Sequence, residues 1–200
     1  MRSVSRVAGL LINVLAFAVL AVGGGIGSAW YMIENGSRFS TYAFGPWSIW
    51  SSAGRPDADP YTRAHTLSSA LLPLSSTLEV TYTATTDSTN ARLSSGCEYT
   101  IVVEGFDPAW WSLAVFDAKG GVIANAAERY AFNAETVMRE PDGRAVITLA
   151  RDARPGNWLP LGGAGRITVL LTVQDTRWAA AAEDGTTAKP LPEIQRIACR

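Results

Sequence analysis

The sequence predicts an all-β domain, a sandwich or barrel of short strands, and three observations predict it. Runs with the composition of strands occur at 77–83 (TLEVTYT), 97–104 (CEYTIVVE) and 111–117 (WSLAVFD), each alternating with period two, at 145–150 (AVITLA), and at 166–174 (RITVLLTVQ), which is strongly β-branched. Glycine and proline turn signals separate them, among them Lys119-Gly120-Gly121 and Pro141-Asp142-Gly143. Hairpin-type turns between such runs make the pairing antiparallel. The formal net charge of −1 over 200 residues gives no electrostatic reason to expect a nucleic-acid partner.

The chain opens with residues 1–6, which contain Arg2 and Arg6, followed by 7–33, which contain no Asp, Glu, Lys or Arg. A bilayer core needs roughly 20 apolar helical residues, so 7–33 is long enough to cross it. Arg2 and Arg6 before the stretch favour a cytoplasmic N-terminus, with Glu34, Arg38 and everything after them translocated. Trp30 and Tyr31 fall where an interfacial aromatic belt lies. Gly27-Ser28-Ala29 also offers the small residues of a signal-peptidase site, so a cleaved signal is the rival reading. Either way the domain is exported. Gly23 and Gly27 have the spacing that lets two membrane helices approach, which gives a possible homodimer contact.

Residues 34–58 are expected to form an aromatic-rich connector. Tyr42, Phe44, Trp47 and Trp50 are more aromatic than a free linker needs, so the segment packs on the domain or lies at the membrane surface. Asp59-Pro60 then has the form of a helix N-cap followed by proline at the first helical position. The expected helix spans 61–72, stops before Pro73, and repeats Ala64, Leu67 and Leu71 along one face.

The domain proper is expected over 59–178, organised around 96–130. There Tyr99, Ile101 and Val103 share one face of a first strand, and Trp111, Leu113 and Val115 share one face of a second. Gly105 to Pro108 breaks the run between them, and Val122-Ile123-Ala124 is the expected return strand after the glycine turn. Pro155 to Pro160 reads as an irregular loop.

Residues 179–200 form a tail. If the domain is exported, Cys97 and Cys199 are the only disulfide pair one chain can make, and the bridge would pin this tail to the first strand of the centre. Two free thiols or an interchain pair are the alternatives.

Several blocks together resemble a bacterial family, the domain of unknown function 1214. They are Asp59-Pro60-Tyr61-Thr62-Arg63-Ala64, Leu72-Pro73-Leu74, Gly96-Cys97-Glu98-Tyr99, Pro108-Ala109-Trp110-Trp111-Ser112-Leu113, Asn125 with Arg129-Tyr130, Asp142-Gly143 and Gly156-Asn157-Trp158-Leu159-Pro160. The ending Leu191-Pro192-Glu193-Ile194 with Cys199-Arg200 is similar to the short, membrane-anchored members. The chain departs from the pattern at Ala114-Val115-Phe116-Asp117, where Thr-Leu-Tyr-Asp is more usual. The resemblance implies a jelly-roll-like antiparallel β-sandwich, preceded here by one short helix and an N-terminal transmembrane helix. It implies no reaction. The companion domain of unknown function 1254, often found beside it, is absent from these residues.

Catalytic options are thin. His65 is the one histidine, so a multi-histidine zinc site cannot form within one chain, and no metal or cofactor is expected. Carboxylates are spread singly: Glu98 and Glu104 lie too far apart for paired acid–base work, and Asp107, Asp117 and Asp142 lie in or beside turns. The candidate site is aromatic plus arginine: Tyr61, Arg63, Trp110, Trp111, Arg129, Tyr130, Asn157 and Trp158. Flat rings with polar partners suit sugar rings or acyl chains, and the same residues equally suit a structural hub. Trp110 and Trp111 must point to opposite faces of a strand, so the one outside the core is the leading ligand contact. The function expected is non-catalytic binding of a glycan, lipid or protein on the periplasmic side of the inner membrane. An envelope hydrolase using carboxylates in the aromatic pocket is the alternative.

Overall fold

The structure, a computed structural model, describes residues 2–36, 39–69 and 73–199, with side chains from residue 8 onward. Arg38, Leu71, Leu72 and Arg200 lie outside the described residues, as do the side chains of Arg2 and Arg6. Among the described residues the chain forms three helices and ten strands.

Helix α1 (Arg2–Asn35) contains one span, Ala8–Asn35, long and apolar enough to cross a membrane, with mean hydropathy 2.2 and none of it buried against the rest of the chain. Such a helix is either a membrane span or a signal sequence. A β-carbon added at Gly23 or Gly27 would meet nothing within 4 Å.

Residues 34–58, expected as a connector, supply two strands. β1 (Thr41–Phe44) and β2 (Trp47–Trp50) make a hairpin that extends the larger sheet, because Trp47 and Ile49 have a core to enter. Helix α2 (Pro60–Ser68) starts where the sequence places it. The Asp59 carboxylate accepts from the Tyr61 and Thr62 amides at 2.9 and 3.1 Å, satisfying two of the free donors of the first turn.

The remaining strands are β3 (Glu79–Ala84), β4 (Cys97–Val103), β5 (Trp110–Asp117), β6 (Ala131–Asn133), β7 (Ala145–Ala150), β8 (Asn157–Pro160), β9 (Ile167–Gln174) and β10 (Glu193–Cys199). Helix α3 (Thr176–Glu183) lies between the last two. The larger sheet has the order β1-β2-β3-β9-β5-β6, and the smaller β10-β4-β7-β8. Both sheets are open, and residues from both meet in one buried cluster, so the fold is a sandwich and not a barrel. The expected alternation holds: Tyr99, Ile101 and Val103 from β4 face Trp111, Leu113 and Val115 from β5 across the core.

Four elements add to or differ from the sequence expectation. The 96–130 stretch is divided between the layers, with β4 in the smaller sheet and β5 in the larger, because the break at residues 104–109 carries the chain across. The return strand is β6, and the expected one at Val122 contributes a single bridge to Phe116. The loop at 155–160 contains a strand, and β8 pairs with β7 in parallel, which makes the smaller sheet mixed. The Asn157 amide accounts for this. It donates to the Met138 and Val146 carbonyls at 2.8 and 3.0 Å and accepts from the Met138 amide at 2.7 Å. The tail, expected to be pinned to β4, also supplies regular elements: Trp178, Ala179 and Ala182 of α3 are buried, and β10 forms the outer strand beside β4.

Each sheet edge is blunted. β1 and β6 are short, β8 ends in Pro160, and β10 shifts register between Arg196 and Ala198. These devices discourage edge-to-edge pairing between chains.

One group in the core is anomalous. Tyr82 is fully buried between the rings of Phe44 and Trp178, and its hydroxyl has no hydrogen-bond partner among the described residues. Burial alone pushes this phenol well above its ordinary range. Replacing Tyr82 by Phe removes an unsatisfied polar atom and keeps the ring, so the variant is expected to be as stable as the parent or up to about 1 kcal/mol more stable. A denaturant midpoint below the parent's would mean that the hydroxyl has a partner.

Candidate functional site

Strand register decides which residues meet at one end of the larger sheet. Thr41 faces Trp50, while Glu79 and Trp110 both face Gln174. Because β2 runs antiparallel to β3, Trp50 points toward the Glu79 end. Helix α2, residues 73–78, the start of β5 and the start of α3 therefore gather there. Helix α1 arrives at the same end. The His65 ring, stacked on Trp50 at 4.1 Å between centroids, bonds through Nδ1 to the Ile33 carbonyl at 2.8 Å.

A groove of about 480 Å³ opens at this end, lined by Leu74, Leu78, Ala109, Gln174, Asp175, Thr176 and Arg177. Leu74 and Leu78 stand 51% and 53% exposed, although Leu78 has the sequence phase of an inward strand residue. It fails to enter the core because β3 begins one residue later, beyond the last rung of the sheet. The segment before it is fixed by Gly54, whose φ of +76° and close approach to the Leu74 carbonyl exclude a side chain; a β-carbon there would lie 2.2 Å from that oxygen.

Asp175 forms the polar floor. It caps α3 by accepting from the Arg177 amide at 2.8 Å, accepts from the Ala109 amide at 2.9 Å, and pairs with the Arg177 guanidinium at 2.8 Å. The guanidinium, chiefly, holds this carboxyl well below the usual carboxylate range; burial opposes it, and the Ala109 and Arg177 amides add to it. Such a carboxylate is ionised at neutral pH and has no proton to give. Its depressed value contributes stability that is complete above the unfolded value of about 3.9 and is lost as pH falls through the folded value. The acid limb of the stability–pH curve should therefore flatten in Asp175→Asn below about pH 4. Parallel acid limbs for variant and parent would show that Asp175 is not the group responsible.

The residues chosen from the sequence do not form one site. Tyr61, Arg63 and Trp110 lie at the groove end, with Arg63 exposed and donating to the Pro56 carbonyl at 2.6 Å. Trp111 is core, 1% exposed and edge-on to Phe106. Of the adjacent pair, Trp110 is thus the one left partly outside. Arg129, Tyr130, Asn157 and Trp158 lie where β6 and β8 border the two sheets. There the Arg129 guanidinium sits 5.7 Å from the centre of the Phe132 ring and reaches the Trp158 carbonyl, and the Trp158 indole donates to the Ala150 carbonyl at 2.9 Å. Asn157 is spent on the backbone. This second group closes the open side of the sandwich.

A smaller cavity of about 150 Å³ lies at the opposite end, beside the Cys97–Cys199 disulfide and the Arg154–Glu98 ion pair at 2.6 Å. The other buried carboxylate among the described residues, Asp87, has structural partners. Asp87 accepts from Thr89, Ala91 and Arg196, which outweigh its burial and hold it below the usual range. Among the described residues no group of three or more His, Cys, Asp or Glu is placed to hold a metal ion.

Residues 79–177 match the family described as protein of unknown function DUF1214. They form a DUF1214 domain. The match takes in β3 to β9, both layers of the sandwich and the Asp175 floor of the groove, while β1, β2 and β10 complete the sheets from outside it. The DUF1214 chain is similar in fold to the crystal structure of the VPA0106 protein from Vibrio parahaemolyticus, with a TM-score of 0.60 and 14% identity, over 92% of this chain and 45% of that one. A weaker likeness, with a TM-score of 0.42 and 15% identity, is to an uncharacterized protein from Burkholderia cenocepacia, over 92% of this chain and 52% of that one. This chain spans about half the length of each. No curated protein matches it.

Sequence reasoning missed Leu74, Leu78, Asp175 and Arg177 as groove residues. A signal was present for one of them: Asp175-Thr176-Arg177-Trp178 is an N-cap residue followed by a helix-compatible run.

Proposed function

We propose that this chain is a single-span, membrane-anchored binding module whose sandwich stands on the periplasmic side of the bacterial inner membrane and holds an envelope glycan, lipid or protein without transforming it. The observation that carries the reading is the groove at the α1 end. It pairs two half-exposed leucines with a polar floor, the mixture of apolar wall and few fixed polar groups that suits an amphiphilic ligand. Export is supported by the disulfide, since such bridges persist in oxidising compartments. Orientation is supported by Arg2 and Arg6 ahead of the apolar stretch.

The hydrolase alternative has less to stand on. Of the described residues that line the groove, Asp175 is the one carboxylate, and it is committed to Arg177 and to two backbone amides. Paired acid–base chemistry needs a second.

Native mass spectrometry of the full chain released from detergent tests the reading. A bound species that survives in the parent and is lost when Leu74 and Leu78 are both changed to Ser is the expected result. Retention of the same species in that double variant would move ligand binding away from the groove. Turnover of it would end the non-catalytic reading.

A further inference from the structure

We infer that the α2 end of the sandwich is seated on the lipid leaflet from which α1 emerges, with Phe39, Leu67, Leu74 and Leu78 dipping into it. The inference rests on the reading of α1 as a membrane span, and it specifies what covers the groove: acyl chains and headgroups of that leaflet.

Helix geometry sets the height. The 28 residues of the apolar span are about 42 Å long at 1.5 Å per residue, against a hydrocarbon core of about 30 Å and about 40–45 Å with headgroups. The last turn of α1, with Ile33, therefore lies at headgroup level. Helix α2 is bonded to that turn through His65, and Gly36 packs on Thr41 at the start of β1, so the domain has no slack with which to stand clear of the surface.

The distribution of exposed apolar side chains agrees. Phe39 is 94% exposed and Leu67 77%, and with Leu74 and Leu78 they share the end at which α1 arrives. Val122, at the tip of the β5 hairpin, lies at the other end of the same strand from Trp110. Four large apolar groups on the side facing a bilayer form a rim for shallow insertion, on the order of 5 Å deep.

Charge at this end does not compete. Arg55 pairs with Asp57, Arg177 with Asp175 and Lys189 with Asp107, each at 2.8–2.9 Å. Arg63, exposed at the same end, has a backbone carbonyl as its partner, so anionic headgroups can add one attraction to an apolar seating that should persist on zwitterionic lipid.

The test is spin-label accessibility of the full chain in lipid nanodiscs, with the native disulfide intact and one added cysteine at a time: Leu78→Cys, Val122→Cys as the aqueous reference, and Phe17→Cys in mid-α1. The expected result is an oxygen-to-nickel accessibility ratio at Leu78 severalfold above that at Val122 and nearer that at Phe17, with or without anionic lipid. A Leu78 ratio equal to that of Val122 while Phe17 reads as deep would overturn the seating and leave the anchor standing. Phe17 reading as aqueous would remove the anchor and the seating together. Leu78 shielded from both reagents would mean that protein, not lipid, covers the groove.

Discussion

Full-length protein with its Cys97–Cys199 bridge reduced, or with both cysteines changed to Ser, is expected to lose about 2–5 kcal/mol of unfolding free energy. The two cysteines are 102 residues apart, so the bridge closes a loop long enough for the upper part of that range by closure entropy. For a chain of this size the loss corresponds to a fall in Tm of roughly 5–20 °C. The native fold should nevertheless persist under mild conditions, because β10 has other attachments. Arg196 donates to the buried Asp87 carboxylate at 2.5 Å, Ser88 Oγ accepts from the Ile194 amide at 2.9 Å, and the Trp47 indole donates to the Pro192 carbonyl at 2.8 Å. Thermal melts with and without reductant, followed by near-ultraviolet circular dichroism at low temperature, separate the two effects. A reduced form that has lost its native spectrum before heating would mean that the bridge holds β10 by itself.

Trp178→Ala is expected to cost about 3–5 kcal/mol, the range for a buried aromatic truncated in a packed core. The side chain is 1% exposed and meets Phe106 at 4.8 Å and Tyr82 at 6.3 Å between ring centres. It is the main apolar contact by which α3 closes over the sandwich. The same substitution at Trp110, which is only partly buried, should cost much less. Denaturant midpoints of the two variants provide the comparison. Equal losses would mean that α3 can detach without opening the core.

The layers of this fold were legible where one physical pattern dominates. Period-two alternation marked β3, β4 and β5, strand-type composition between turn signals marked β7 and β9, and the Asp59-Pro60 signature marked the start of α2. The pairing of those strands was not legible, because alternation says which face a residue occupies and nothing about which neighbour it meets. Hence the alternation within 96–130 left open which sheet each strand joins, and β4 and β5 belong to different ones. β8 was hidden by Pro155 before it, by Pro160 at its end and by dependence on a distant partner, the Met138 backbone that Asn157 binds. The site failed to assemble for a related reason. Aromatic and arginine side chains were grouped by chemistry, and the chain distributes them between the α1 end and the β6–β8 border. Cysteine arithmetic, with a single pairing open to one chain, needed no geometry.

The His65 contact has a consequence for how α1 and the sandwich move together. A backbone carbonyl can only accept, so the Nδ1 facing Ile33 must carry the proton, and the neutral ring is fixed in that tautomer. The same ring lies flat on the Trp50 indole, so one imidazole is bonded to the last turn of α1 and stacked on β2. Helix and sandwich are thus coupled through a single side chain, and a shift of either one has to move the other.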